Sequence, residues 1–177
     1  AMTGLLGWHA PEVGANAAII LDIARRQGKP QSMLFGFWGL WVNAGSQGRI
    51  AQSLEWAQRM LAEGAVAGDL DLEVCGYQAA VVSYYYLGRL LEAREAGDRA
   101  IALYDPQRAS RWLQLTGHGI RTTVDTYAAH WHWMLGYPDQ ALTNAQQALA
   151  VAKETGSTYC ETFALDFVRW IHALRRE

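Results

Sequence analysis

The stretch YAAHWHWM, residues 127–134, sets two imidazoles among tryptophans. An imidazole can ligate a metal or carry a proton near neutral pH. Geometry argues against a shared metal: on a helix of 3.6 residues per turn, His130 and His132 point about 200° apart. One helix cannot bring both to a single ion, and no metal site is expected. Proton transfer fits the spacing better. Asp125 precedes His132 by two helical turns on the same stripe, and Arg121 precedes Asp125 by one turn. A carboxylate that orients an imidazole makes a general base of the kind used in hydrolysis. The plainer reading is a structural hydrogen bond, or an Arg121–Asp125 ion pair worth about 0.2–0.5 kcal/mol on a helix. Asp166 and Arg169, one turn apart, can pair in the same way.

No nucleophile accompanies the candidate base. There is no GxSxG elbow, and Ser83 and Ser110 have no local signature. No GxxxxGK[ST] phosphate loop is present, and no cofactor is expected. Cys75 and Cys160 are far apart and form neither a CxxC nor a zinc spacing, so buried, reduced thiols are expected.

Composition narrows the classes further. The 177 residues are 51% hydrophobic and 18% charged, which is a globular composition. Fifteen Lys and Arg against seventeen Asp and Glu leave a net charge of −2. That balance offers no basic surface for nucleic acid. No apolar run reaches the roughly 18 residues of a membrane span, and the first residues lack the pattern of a signal peptide. A cytoplasmic protein without nucleic-acid or membrane partners is the expectation.

These residues need elements to position them, and the elements repeat. Three segments align: GRIAQSLEWAQRML (48–61), GRLLEAREAGDRAI (88–101) and GYPDQALTNAQQAL (136–149). Each opens on Gly, a residue suited to a tight turn between helices. Small residues follow at Ser53, Ala93 and Ala141, then one turn later at Ala57, Gly97 and Ala145. Small residues four apart share one helix face and permit close helix–helix approach. The pairs Met60-Leu61, Ala100-Ile101 and Ala148-Leu149 come next. A further helix is expected before each Gly, over about 32–45, 71–87 and 120–135, with others over about 12–27 and 158–176. The intervening YDPQRASRWLQLTGHG (104–119) reads as a long loop, with Trp112 as its hydrophobic anchor.

This pattern resembles the tetratricopeptide repeat. WGLW (38–41), YLGRLLEAREAGDRAIALYDPQR (86–108), LGYPDQAL (135–142) and FALDFVRWIHALRRE (163–177) look like the repeat region of large bacterial ATPase, adenylate-cyclase-like or LuxR-like signalling regulators. The resemblance covers residues 12–177 and implies an all-α, right-handed solenoid of about eight helices. It implies one helical repeat domain over 1–177, with units at about 32–64, 71–105 and 120–155 and a final helix at 158–176. It also implies a piece of a larger array, because a second helix would be expected after ALRRE.

In such arrays the first helix of each unit lines a concave groove. Carried onto this chain, the rule assigns Trp38, Gln78, Tyr85, Tyr86, His130, Trp133, Asp166, Arg169 and Trp170 to a ligand-binding face. Phe35, Val42, Cys75, Val82, Thr123, Thr126, Met134 and Phe163 accompany them. The family pattern expects apolar residues at 125 and 132, and apolar or neutral ones at 161, 166 and 169, so Asp125, His132, Glu161, Asp166 and Arg169 are departures from it. The implied function is a non-catalytic module that binds a peptide, a protein or a small molecule in an aromatic groove. The alternative is a hydrolase using Asp125, His132 and Arg121. A homodimer through exposed terminal helices is a third expectation, since an open array end leaves an apolar helix face uncovered.

Overall fold

The computed structural model describes residues 6–176, and these are helical nearly throughout, with no strand among them. Nine α-helices are described. They are α1 (Pro11–Gln27), α2 (Pro30–Ser46), α3 (Ile50–Ala67), α4 (Leu70–Tyr86), α5 (Leu90–Ala102), α6 (Ala109–Thr116), α7 (Ile120–Met134), α8 (Pro138–Glu154) and α9 (Thr158–Arg175). The chain divides into two compact units, Ala1–Arg89 and Leu90–Glu177. Within each, helices adjacent in sequence pack as neighbours: α1 on α2, α2 on α3, α3 on α4, then α7 on α8 and α8 on α9. The result is an all-α helical repeat.

Glycine sets the turns. Gly48, Gly88 and Gly136 have φ of 75°, 73° and 87°, the left-handed region that lets a helix end within one residue. The same conformation recurs at Gly28, Gly68 and Gly156. Left-handed glycines therefore fall at 28, 48, 68 and 88, one per helix, of which Gly28 and Gly68 lie outside the series legible from the aligned segments.

The small-residue stripe is buried as its spacing requires. Ser53 and Ala57, Ala93 and Gly97, and Ala141 and Ala145 all lie in the interior. At Gly97 the reason is direct: a Cβ there would come within 2.9 Å of the Trp131 ring. Met60, Ala100 and Ala148 fill the core a turn further on.

The first unit is built around Leu34, Phe37, Met60 and Leu72, none measurably exposed. A short polar chain crosses it. The Trp41 indole donates to Ser83 Oγ at 2.9 Å, and Ser53 Oγ donates to the Trp41 carbonyl at 3.0 Å. Asn43 ties down the segment before α1, donating to the carbonyls of Trp8 and Ala10. Cys75 is free and buried, and burial beside Asp71 and Asp69 pushes its thiol far up. Cys160, in the second unit, is likewise free and buried.

The second unit departs from the sequence reading at 104–119. Instead of a bare loop, the chain forms a 3-10 turn at Pro106–Arg108 and then α6. Trp112 anchors it, fully buried and 5.6 Å from the Tyr104 ring. Leu113 packs onto a core of Ala148, Ala152, Cys160 and Ala164 from α8 and α9. The amphipathic spacing of Trp112, Leu113 and Thr116 was the signal for this extra turn of helix; Asp105, Pro106 and Gly117 around it read more strongly as loop. This helix raises the number from about eight to nine.

Candidate functional site

The polar residues of α7 do not form a dyad. Arg121 Nε donates to Asp125 Oδ2 at 2.7 Å, along one turn of the helix. Asp125 is nearly buried while Arg121 keeps about a third of its side chain exposed. Burial raises the Asp125 carboxyl above its usual range, and the hydrogen bond and charge of Arg121 hold it back. His132 turns elsewhere: its Nδ1 lies 2.9 Å from Asn144 Oδ1 on α8, the ring nitrogen donating. No hydrogen bond between Asp125 and His132 is found among the described residues. Asn144, invisible to any motif, satisfies the imidazole.

The binding-face residues fall into both units. In the first unit, Trp38 and Gln78 are core residues, 4% and 1% exposed. Trp38 packs against Trp41 with ring centroids 4.6 Å apart. Neither side chain presents a surface to a ligand, because α2 and α4 are enclosed by their neighbours within that unit. Tyr85 and Tyr86 meet edge to face at 5.3 Å, the first half-buried and the second exposed. Burial, with Tyr86 beside it, raises the Tyr85 phenol.

In the second unit the placement converges. His130 on α7 lies 4.3 Å from the Phe167 ring and 6.2 Å from Trp170, both on α9. Tyr127 meets Phe163 and Phe167 at 6.1 and 5.5 Å. The row continues through Phe163 to Tyr159, stacked at 6.1 Å with rings nearly parallel, and ends at His118. Positions 159, 163 and 167 are successive turns of one helix face, so α9 carries the row and α7 backs it. Tyr159 and Trp170 are about half exposed. Asp166 and Arg169 pair at 2.8 Å on the exposed edge. Burial lowers the His130 imidazole, and the nearby Asp166 charge opposes that shift. Trp133 takes the other side of α7, against Ala129, Ala141, Ala145 and Ile171. Phe167 and Tyr159 were not singled out in the sequence; the four-residue spacing from Phe163 was the available signal.

A separate cavity of about 270 Å³ opens in the same unit, where the Pro106–Thr116 segment meets the start of α7 and the end of α8. Tyr104, Arg121, Thr122 and Glu154 line its polar side, and Leu113 and Val151 its apolar side. No three His, Cys, Asp or Glu side chains converge to hold a metal among the described residues. No described helix is long and apolar enough to cross a membrane.

Comparison with known proteins gives no match to a family model, a curated protein or a solved structure.

Proposed function

We propose that this chain is a non-catalytic binding module that holds a peptide or small-molecule ligand against the aromatic row of α7 and α9. The observation that carries the reading is the row itself. Six rings, from His118 through Tyr159, Phe163, Phe167 and His130 to Trp170, form one continuous row of ring contacts, with both Tyr159 and Trp170 half open to solvent. Aromatic rings supply large contact area with little loss of side-chain freedom, which is why binding surfaces concentrate them. The Asp166–Arg169 pair at the edge adds polar groups that can orient a backbone or a charged side chain. The tetratricopeptide-like repeat pattern supports the same reading. So do the partners of Asp125 and His132, which engage each of them in a structural contact rather than with one another.

The test is selection of peptides from a random display library against the full chain, followed by calorimetry of the enriched peptides. Trp170→Ala and Phe163→Ala are expected to weaken binding by about tenfold or more each, as hot-spot truncations do. Tyr86→Ala, in the first unit, should leave it unchanged. Enriched peptides that bind both α9 variants as well as the parent would overturn the assignment.

A second reading, self-association, is favoured by the exposed apolar residues Leu165, Trp170 and Leu174 of α9, at 50%, 49% and 41% exposure.

A further inference from the structure

The cavity at the start of α7 has two electrostatic ends. One end is positive. Arg121 lines it, and its Nε is held by Asp125, so the two Nη groups are left for another acceptor. The α7 N-terminus opens there too. Its N-cap residue, Gly119, offers no side chain to the first amides of the helix. Those amides carry the positive end of the helix dipole. Thr122, in the first turn, is 1% exposed and its hydroxyl has no hydrogen-bond partner. A buried hydroxyl without a partner is uncommon and points to a missing polar occupant.

The other end is negative. Glu154 closes α8, at the terminus where helix carbonyls accumulate. It has no ion-pair partner among the described residues. Tyr104 lines the cavity too, its phenol raised by burial; of the charges around it Arg121 lowers it and Glu154, Asp105 and Asp125 raise it. Leu113, Ile120 and Val151 supply apolar wall between them.

From this we infer that the cavity binds a small zwitterion of the α-amino-acid class. Its carboxylate meets the Arg121 Nη groups and the α7 amides, its ammonium meets Glu154, and its side chain lies on the apolar wall. Charge decides between the classes of ligand. Asp125 takes the Nε side of Arg121 and leaves the Nη side to the cavity beside the α7 amides. A simple anion would meet those donors but also the uncompensated Glu154, and a simple cation would meet Glu154 but also those donors. Only a molecule carrying both charges complements both ends. The volume, about 270 Å³, lies just below the roughly 300–1,000 Å³ of sites for drug-sized ligands, which limits the occupant to a small molecule. The site is distinct from the aromatic row, and neither depends on the other.

The experiment is calorimetry on the full chain with the neutral L-amino acids from glycine to phenylalanine. The best binder is then compared with the amine that lacks its carboxylate and the acid that lacks its amino group. At least one amino acid is expected to bind, and both analogues to bind about tenfold or more weakly, as for loss of one charge-assisted contact. Glu154→Gln, on an exposed side chain, should weaken the amino acid by a similar factor and leave the deaminated acid no weaker, with the circular dichroism unchanged. Arg121→Lys keeps a cation beside Asp125 but removes the fork, and should weaken amino acid and deaminated acid alike. The proposal is overturned if no amino acid binds, if either analogue binds as well as its parent, or if Glu154→Gln binds as the native chain does.

Discussion

At the scale of single residues, the second unit turns on how buried charge is neutralised. Asp125 is enclosed and Arg121 is one-third open, so the two halves of the pair are unequal. Removing the arginine strands a carboxylate away from water; removing the carboxylate leaves a cation that water can reach. Arg121→Ala is therefore expected to cost about 2 kcal/mol in urea unfolding and Asp125→Asn less than about 1 kcal/mol. Equal losses would contradict this account of the pair. The imidazoles give a pH signature. Burial lowers both His118 and His130 below the usual 6.5. Between those lowered values and 6.5 the unfolded chain binds more protons than the folded one. Stability is thus whole above that window and falls as pH drops through it. Asp125 runs the other way at lower pH: with its folded value above the usual 3.8, stability falls as pH rises from 3.8 through the folded value. Urea midpoints should accordingly decline as pH falls from about 7 to 5.5, and His130→Phe should shrink that decline. An unchanged slope in His130→Phe would assign the effect to other groups.

At the scale of the helix, two kinds of glycine do different work, and substitution separates them. Gly88 has φ of 73° and open space where a side chain would go. Gly88→Ala should cost about 1 kcal/mol from backbone strain alone. Gly97 is helical, and its substitution drives a methyl into Trp131 and Val124. Gly97→Ala is expected to cost about 1–3 kcal/mol by overpacking. The distinguishing measurement is a double-mutant cycle with Trp131→Phe. It should recover part of the Gly97→Ala loss and none of the Gly88→Ala loss. Both roles could be read from the aligned segments, which place Gly at the opening of each and a small residue nine positions later. The contact partner could not, because Trp131 lies on another helix, across the 104–119 segment that disguised α6 as a loop.

At the scale of the whole molecule, net charge and exposed apolar surface set the behaviour in solution. A charge of −2 offers little repulsion between copies. Leu165, Trp170 and Leu174 meanwhile leave α9 with apolar surface in water. Light scattering over a concentration series is expected to show the mean mass rising toward that of a dimer, and Leu165→Glu to hold it at the monomer. A mass that stays monomeric at every concentration would remove self-association and leave the aromatic row as the working surface of α9.

All of the helices but α6, the turns at Gly48, Gly88 and Gly136, and the buried stripe were legible in the order of residues. A 3.6-residue period and a left-handed glycine are properties of neighbouring positions, and the chain carries them locally. The pairing of Arg121 with Asp125 was legible for the same reason, since four residues make one turn. Other features came only from tertiary packing: the turn of His132 toward Asn144, the burial of Trp38 and Gln78, the alignment of His118 with rings of α7 and α9, and the cavity where α6 meets α7 and α8. Each joins positions on different elements. Their meeting depends on which faces the helices bury, and that is decided by how the whole set of side chains packs.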